Sequence, residues 1–229
     1  MTERSYALMI EPTLSPFPVL PALIWAERVR SPMPTTKAPG FLEDLLREVE
    51  TLGEDFIPNL RRQRVRRMLR YGKYSPSGRG KPASEFLLRA ALSCAFPLVN
   101  APVDVNNTIS LASGLPASIF DAALSGGEFL LRRGRPGESY VFNRAGQIID
   151  LEDLLLVCRR TNQGWAPCGN PVKDAMPTKI GAETRDVAGV LYAPIDEPLT
   201  SVEQWAERYA QLLSTHCGAQ EVGFNVVAP

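Results

Sequence analysis

The stretch NAPVDVNNTISLASGLPASIFD, from Asn100 to Asp121, sets polar side chains inside an apolar frame, and the rest of the chain is read outward from it. Asp104 stands between Val103 and Val105, Asn106 and Asn107 follow at once, and Gly114 and Pro116 break the run. The β-branched residues at 103–105 and 108–111 predict two short strands. A carboxylate at Asp104 needs donors if it is buried, and either Arg79 or a backbone turn would supply them.

Toward the N-terminus, Phe41, Leu42, Leu45, Leu46, Val49 and Leu52 recur at helical spacing opposite a charged face, and Gly53 is a stop. A second helix over 57–71 carries Arg61, Arg62, Arg64, Arg66, Arg67 and Arg70, with Tyr71 and Tyr74 just beyond. Two readings of that face stand side by side. Its arginines pair with the preceding acidic helix, or they form a phosphate-binding surface on which the tyrosines stack exposed bases. The loop SPSGRGKP (75–82) then delivers Arg79 and Lys81 to the start of an apolar helix over 84–94, with Ser84 as the expected N-cap.

The first forty residues are rich in proline, which suits short strands at sheet edges, here 6–10 and 22–25, and a loop over 32–40. Further strands are expected at 129–132, 139–143, 147–150 and 187–192, the last ended by Pro194. Residues 151–157 read as a short helix or a buried strand. A final amphipathic helix covers 201–216, and His216 in its last turn complements the helix dipole. Strands in the middle with helices before and after make the class α+β, in a single domain spanning 1–229.

Bulk composition bounds the function. Of 229 residues 45% are hydrophobic and 22% charged, enough for a real core. Lys+Arg and Asp+Glu both number 25, so any basic surface must come from local clustering. Cys94, Cys158, Cys168 and Cys217 are far apart, without a CxxC pair, and His216 is the single histidine. That pattern excludes a disulfide framework and argues against a Cys/His metal cage, so neither metal nor cofactor is expected. Charges at Glu3, Arg4 and Glu11 do not fit a signal peptide, and no apolar run reaches the roughly 18 residues of a membrane span. A cytoplasmic protein without a membrane partner is expected.

The stretch from Asn100 to Asp121 resembles, without gaps, a signature of the tRNA-editing (B-three/B-four) domain of the phenylalanyl-tRNA synthetase beta subunit. Asn100, Val103, Asp104, Val105, Asn107, Leu111, Gly114, Pro116, Phe120 and Asp121 carry it. The segments around Pro76–Ala90, Gly137–Asn143, Gly146–Asp150 and Asn170–Lys179 are similar to free-standing members of that family. Together the resemblance covers about residues 40–195. It implies an editing-domain fold, with a β-sandwich-like core and flanking helices. It also implies a trans-acting aminoacyl-tRNA deacylase, which hydrolyses the ester at the 3′ end of mischarged tRNA as proofreading in translation. Its partner would be tRNA rather than DNA.

The same resemblance suggests site residues. Asn106 and Asn107 match the polar pair of the family's pocket. Ser118 stands where the family has a histidine. It can hold a water or a ribose hydroxyl but is a poor base at neutral pH. No glutamate occurs near Leu191, Tyr192 and Ala193 to read a tyrosine hydroxyl, so the family's tyrosine-charged substrate is not expected here. Lys173, Asp174, Thr178 and Lys179 cluster in a patternless loop over 169–181, either as a surface turn or at the tRNA 3′ end. The expected catalytic set is thus Asn106, Asn107, Ser118, Lys173 and Asp174. RNA contacts are expected from Arg67, Arg70, Arg79, Lys81, Ser84, Thr178 and Lys179. No serine–histidine or cysteine–histidine pair is needed if the terminal hydroxyl of the tRNA helps orient water. A tRNA-binding module without hydrolysis, and a small-molecule binder reusing the pocket, are the alternatives.

Overall fold

The computed structural model describes residues 5–228, so Glu3 and Arg4 lie outside the described residues. The strands are β1 (Ala7–Ile10), β2 (Val19–Glu27), β3 (Ala117–Asp121), β4 (Glu128–Arg133), β5 (Ser139–Val141), β6 (Ile148–Asp150), β7 (Leu155–Thr161), β8 (Gly164–Gly169), β9 (Val187–Pro194) and β10 (Glu221–Val226). The helices are α1 (Gly40–Leu52), α2 (Asn59–Leu69), α3 (Ala83–Leu92), α4 (Ala101–Ser113), the single turn α5 (Ala122–Ser125) and α6 (Leu199–Cys217).

Two four-stranded sheets, ordered β1-β4-β7-β8 and β10-β2-β9-β3, share one apolar core, and β5-β6 forms a separate ribbon. Phe120 of β3 meets Phe129 of β4 across the layers, with ring centroids 5.8 Å apart. The class is mixed α and β, as expected.

The proline-rich arm departs from expectation. Instead of an edge strand over 22–25, β2 runs for nine residues between β10 and β9, with Pro21 inside it. The register explains the tolerance. Pro21 sits opposite Tyr192, whose N–H bonds outward to Pro116, so the proline nitrogen faces the β10 side. There β10 ends at Val226, opposite Ala22; the Val227 N–H still donates to the Pro21 carbonyl at 2.9 Å, so the proline forgoes only the reciprocal bond at the end of the ladder.

The two strands predicted at 103–105 and 108–111 are instead one helix, α4. Its ends decide the matter. The Asn100 side chain accepts from the Val103 N–H at 3.2 Å, Pro102 lies in the first turn, and Gly114 closes the helix with φ +69°. Asp104 takes the backbone-turn option, accepting the Val99 N–H at 2.8 Å. The helix is buried on most of its circumference, against α6, α3 and β3, so no amphipathic stripe betrays it. Thr108 and Ser113 satisfy their hydroxyls on the carbonyls of Asp104 and Ile109, both at 2.7 Å.

Residues 151–154 form a turn that leads into β7, which settles the ambiguity of 151–157 in favour of a buried strand. Strands β3, β8 and β10 were not foreseen. The helix predicted from Ser84 begins one residue earlier and is preceded by Pro82. Ser84 makes no capping bond and is buried, which removes it from both the cap and the RNA-facing roles. Among the described residues no helix is long and apolar enough to cross a membrane.

Candidate functional site

Two cavities meet at the loop that follows β8. The smaller, about 230 Å³, is lined by Asn106 and Asn107 of α4, Asn170, Lys173, Asp174 and Lys179 of the loop, and the strand β3. The larger, about 550 Å³, lies beside α2 and α3 and is lined by Arg62, Arg66, Arg79, Lys81, Arg89 and Lys173 among others. Val172 and Lys173 border both.

The loop owes its shape to Asn170, which is almost fully enclosed. Its Oδ1 accepts the N–H groups of Val172 and Lys173 at 2.8 and 2.9 Å, and its Nδ2 donates to the Tyr140 hydroxyl. Tyr140 in turn donates to the Lys173 carbonyl at 2.6 Å. Backbone and side chain thus fix Lys173 from two directions. Its ammonium lies 3.9 Å from the centroid of Phe142, just past β5. Burial and the nearby Arg79 both lower its pKa, because each disfavours a second positive charge there.

A relay sets the orientation of the asparagine pair. Tyr209 of α6 is enclosed, and burial holds its hydroxyl well above the usual tyrosine pKa, so it remains a donor. It donates to Asn106 Oδ1 at 2.8 Å, and Asn106 Nδ2 donates to Asn107 Oδ1 at 3.3 Å. With its oxygen engaged, Asn107 presents its amide N–H groups to the cavity. Gly189 on β9 makes room for this relay, since a Cβ there would lie 2.9 Å from the Tyr209 hydroxyl oxygen. Tyr209→Phe would strand the buried Asn106 oxygen without a donor. It is expected to cost about 1–2 kcal/mol, read as a lower urea midpoint; an unchanged midpoint would show the relay to be idle.

Ser118 is not at the cavity surface. It is fully enclosed, with Oγ 2.9 Å from the Tyr192 hydroxyl and donating to the Asn170 carbonyl at 3.3 Å. The expected contact with a substrate is therefore replaced by a place in the wall behind the loop. Asp174 is half-withdrawn in the same way. Its Oδ2 accepts the Ile119 N–H at 3.1 Å, while Oδ1 is shut off from solvent and has no partner. Burial pushes its pKa up to about 6, against partial relief from Ser118, Ile119 and Lys179.

The basic residues divide sharply. On α2, Arg61 and Arg64 reach Glu197 at 2.7 and 3.0 Å, Arg62 reaches Glu54 at 2.9 Å, Arg66 grips Glu85, and Arg67 reaches Asp196 at 3.1 Å. The pairing reading of this face prevails, but the partners belong to three other segments rather than to α1. Arg67 and Arg70 line neither cavity, and Thr178 turns its hydroxyl inward to the Cys168 carbonyl. These three are thereby set apart from the site. Arg79, Lys81, Arg89 and Lys173 have no ion-pair partner among the described residues. The tyrosines proposed for stacking are engaged elsewhere: Tyr71 under Arg133 and Tyr74 through its bond to the Gly80 carbonyl.

Residues the sequence did not single out are Asn170, Tyr140, Tyr192, Tyr209 and Arg89. His216 packs at a tilt against Phe41, 4.1 Å between centroids, beside a different cavity next to Asp104. Among the described residues no group of three or more His, Cys, Asp or Glu could hold a metal ion.

No protein-family model matches the chain, and no curated protein matches it. Among solved structures, an N-terminal fragment of the phenylalanyl-tRNA synthetase beta-subunit from Pyrococcus horikoshii is similar, at 10% identity and a TM-score of 0.48. The likeness covers 98% of this chain and 52% of that one, so the chain spans about half of that fragment's length. At that score and identity the likeness carries no weight for mechanism or substrate.

Proposed function

We propose that the protein is an aminoacyl-tRNA deacylase acting in trans on mischarged tRNA. The observation that carries this reading is the junction at Lys173. A groove with four uncompensated cations opens beside a cavity of mixed polar and apolar lining, smaller than the roughly 300 Å³ at which ordinary ligand pockets begin. A polyanionic strand ending in a small acyl group has that shape and charge.

In this reading Arg79, Lys81 and Arg89 take phosphates of the acceptor end, and the aminoacyl ester enters the smaller cavity. Asn107 and the Lys173 ammonium stabilise the oxygen that becomes negative when water adds to the carbonyl carbon. The bond to the ribose oxygen then breaks, and that oxygen leaves with a proton from the water. No histidine lines the cavity; Asp174 does, but its Oδ2 is held by the Ile119 N–H and its Oδ1 is shut off from solvent. Orientation of water therefore falls to Asn107 and to the neighbouring ribose hydroxyl of the substrate.

The defining experiment is multiple-turnover release of amino acid from a panel of mischarged tRNAs at catalytic protein concentration. Release from one or a few species supports the reading. Absence of release across the panel, with salt-sensitive tRNA binding retained, favours a binding module without hydrolysis. The enclosure of Ser118 and the absence of a histidine from the cavity lining speak for that second reading.

Arg79→Ala and Lys81→Ala are each expected to weaken tRNA binding by about 3–10-fold at moderate salt. Each should also flatten the slope of log affinity against log salt by close to one. Unchanged slopes in both variants would remove the groove from RNA contact.

A further inference from the structure

We infer that Phe86 is a stacking platform for an unpaired base, so that the groove selects a single-stranded 3′ end over duplex. The inference deepens the proposed tRNA reading and rests on it. Helix α3 buries Ser84, Leu87 and Leu88, which leaves Phe86 on its outer side with 65% of its surface exposed. A phenyl ring has no polar tip to reward that exposure, and burying it would be worth roughly 1.5–3 kcal/mol. Phe86 makes none of the aromatic or cation–π contacts found among the described residues.

Its surroundings narrow the occupant. Phe86 lines the 550 Å³ groove with Arg79, Lys81, Arg89 and Lys173, and Arg89 lies one turn further along the same helix face. An apolar protein segment would leave those cations unmatched. A lone phosphate would leave the ring unmatched. A nucleotide offers both complements at once, a flat π-face and an anion. The base must be unpaired, because in a duplex its face is already stacked. Phe86 would thus hold a nucleotide upstream of the acyl group, with the strand passing Lys173 toward the smaller cavity.

The test uses uncharged RNA hairpins labelled at the 5′ end, one with a four-nucleotide unpaired 3′ tail and one blunt, measured by anisotropy. The native protein is expected to prefer the tailed hairpin. Phe86→Ala should weaken tailed binding about 10-fold, leave blunt binding and the salt slope unchanged, and be rescued by Phe86→Trp. Since the ring is exposed, equal melting temperatures would confirm that the variants are folded. Tailed binding that survives Phe86→Ala overturns the inference. If Arg79→Ala still lowers the salt slope in that case, the RNA reading itself stands. Equal loss on tailed and blunt hairpins also overturns stacking on an unpaired base. Failure of the native protein to bind either hairpin in a salt-dependent way removes both the stacking and the tRNA reading.

Discussion

Asn107→Ala is expected to slow deacylation about 10²–10³-fold while leaving the affinity for tRNA nearly unchanged. Asn106, held by Tyr209, donates to the Asn107 oxygen, and Asn107 lines the cavity with its amide N–H groups still available as donors. A donor aimed at an oxygen gains strength as that oxygen becomes anionic, so its loss falls on turnover more than on binding. Lys173→Met provides the contrast. Lys173 borders both cavities, so removal of its charge should raise KM as well as lower kcat. Single-turnover rates and tRNA affinities for the two variants would separate these effects. A rate for Asn107→Ala within threefold of native would sink the assignment, and loss of affinity without loss of rate would move Asn107 to the binding surface.

The parts of this arrangement visible in the sequence are those with local chemistry. The helix over 41–52 follows from the spacing of Leu42, Leu45, Leu46 and Val49, and its end from Gly53, where φ is +61°. The Asn106–Asn107 pair stood out through the family resemblance, and Lys173, Asp174 and Lys179 as polar groups in a patternless loop; the fold brings these to one cavity. What was not legible is non-local. The β-branched residues of α4 favoured strands, and only the cap at Asn100 and the left-handed Gly114 argued otherwise. Tyr209 reads as one more apolar position in an amphipathic helix, yet its hydroxyl sets Asn106 across 103 residues of chain. The arginine run on α2 looked available to phosphate. Glu197, which holds two of its members, lies beyond β9, where no local pattern connects it to them. Phe86 was counted into an apolar helix because exposure cannot be seen in composition.

Asp174→Asn is expected to abolish a pH dependence of stability that the native protein shows between about pH 4 and 6. Close approach sets up the effect: a methyl group on Gly169 would lie 2.6 Å from Asp174 Oδ1, so this oxygen sits against backbone, out of reach of water. Its carboxyl titrates near 6 in the folded protein, against roughly 3.9 in an unfolded chain. Between those values the folded state binds the proton more often, so stability falls as pH rises through the interval. The contribution is fully present below pH 4 and lost above 6. At about 1.4 kcal/mol per pKa unit the difference is on the order of 3 kcal/mol. Asparagine keeps an oxygen for the Ile119 N–H and carries no charge, so its urea midpoint relative to native should rise with pH. The net gain at pH 7.5 should be smaller, about 1 kcal/mol, because the amide N–H groups find no acceptor where Oδ1 now lies. Parallel pH profiles for the two proteins would refute the buried-charge account. A natural chain that retains aspartate at this cost is explained if the charge serves the site, through its field on Lys179 at the cavity rim. The stabilised variant should then be the slower deacylase, and one that is both more stable and equally fast would leave the carboxylate without a role in the chemistry.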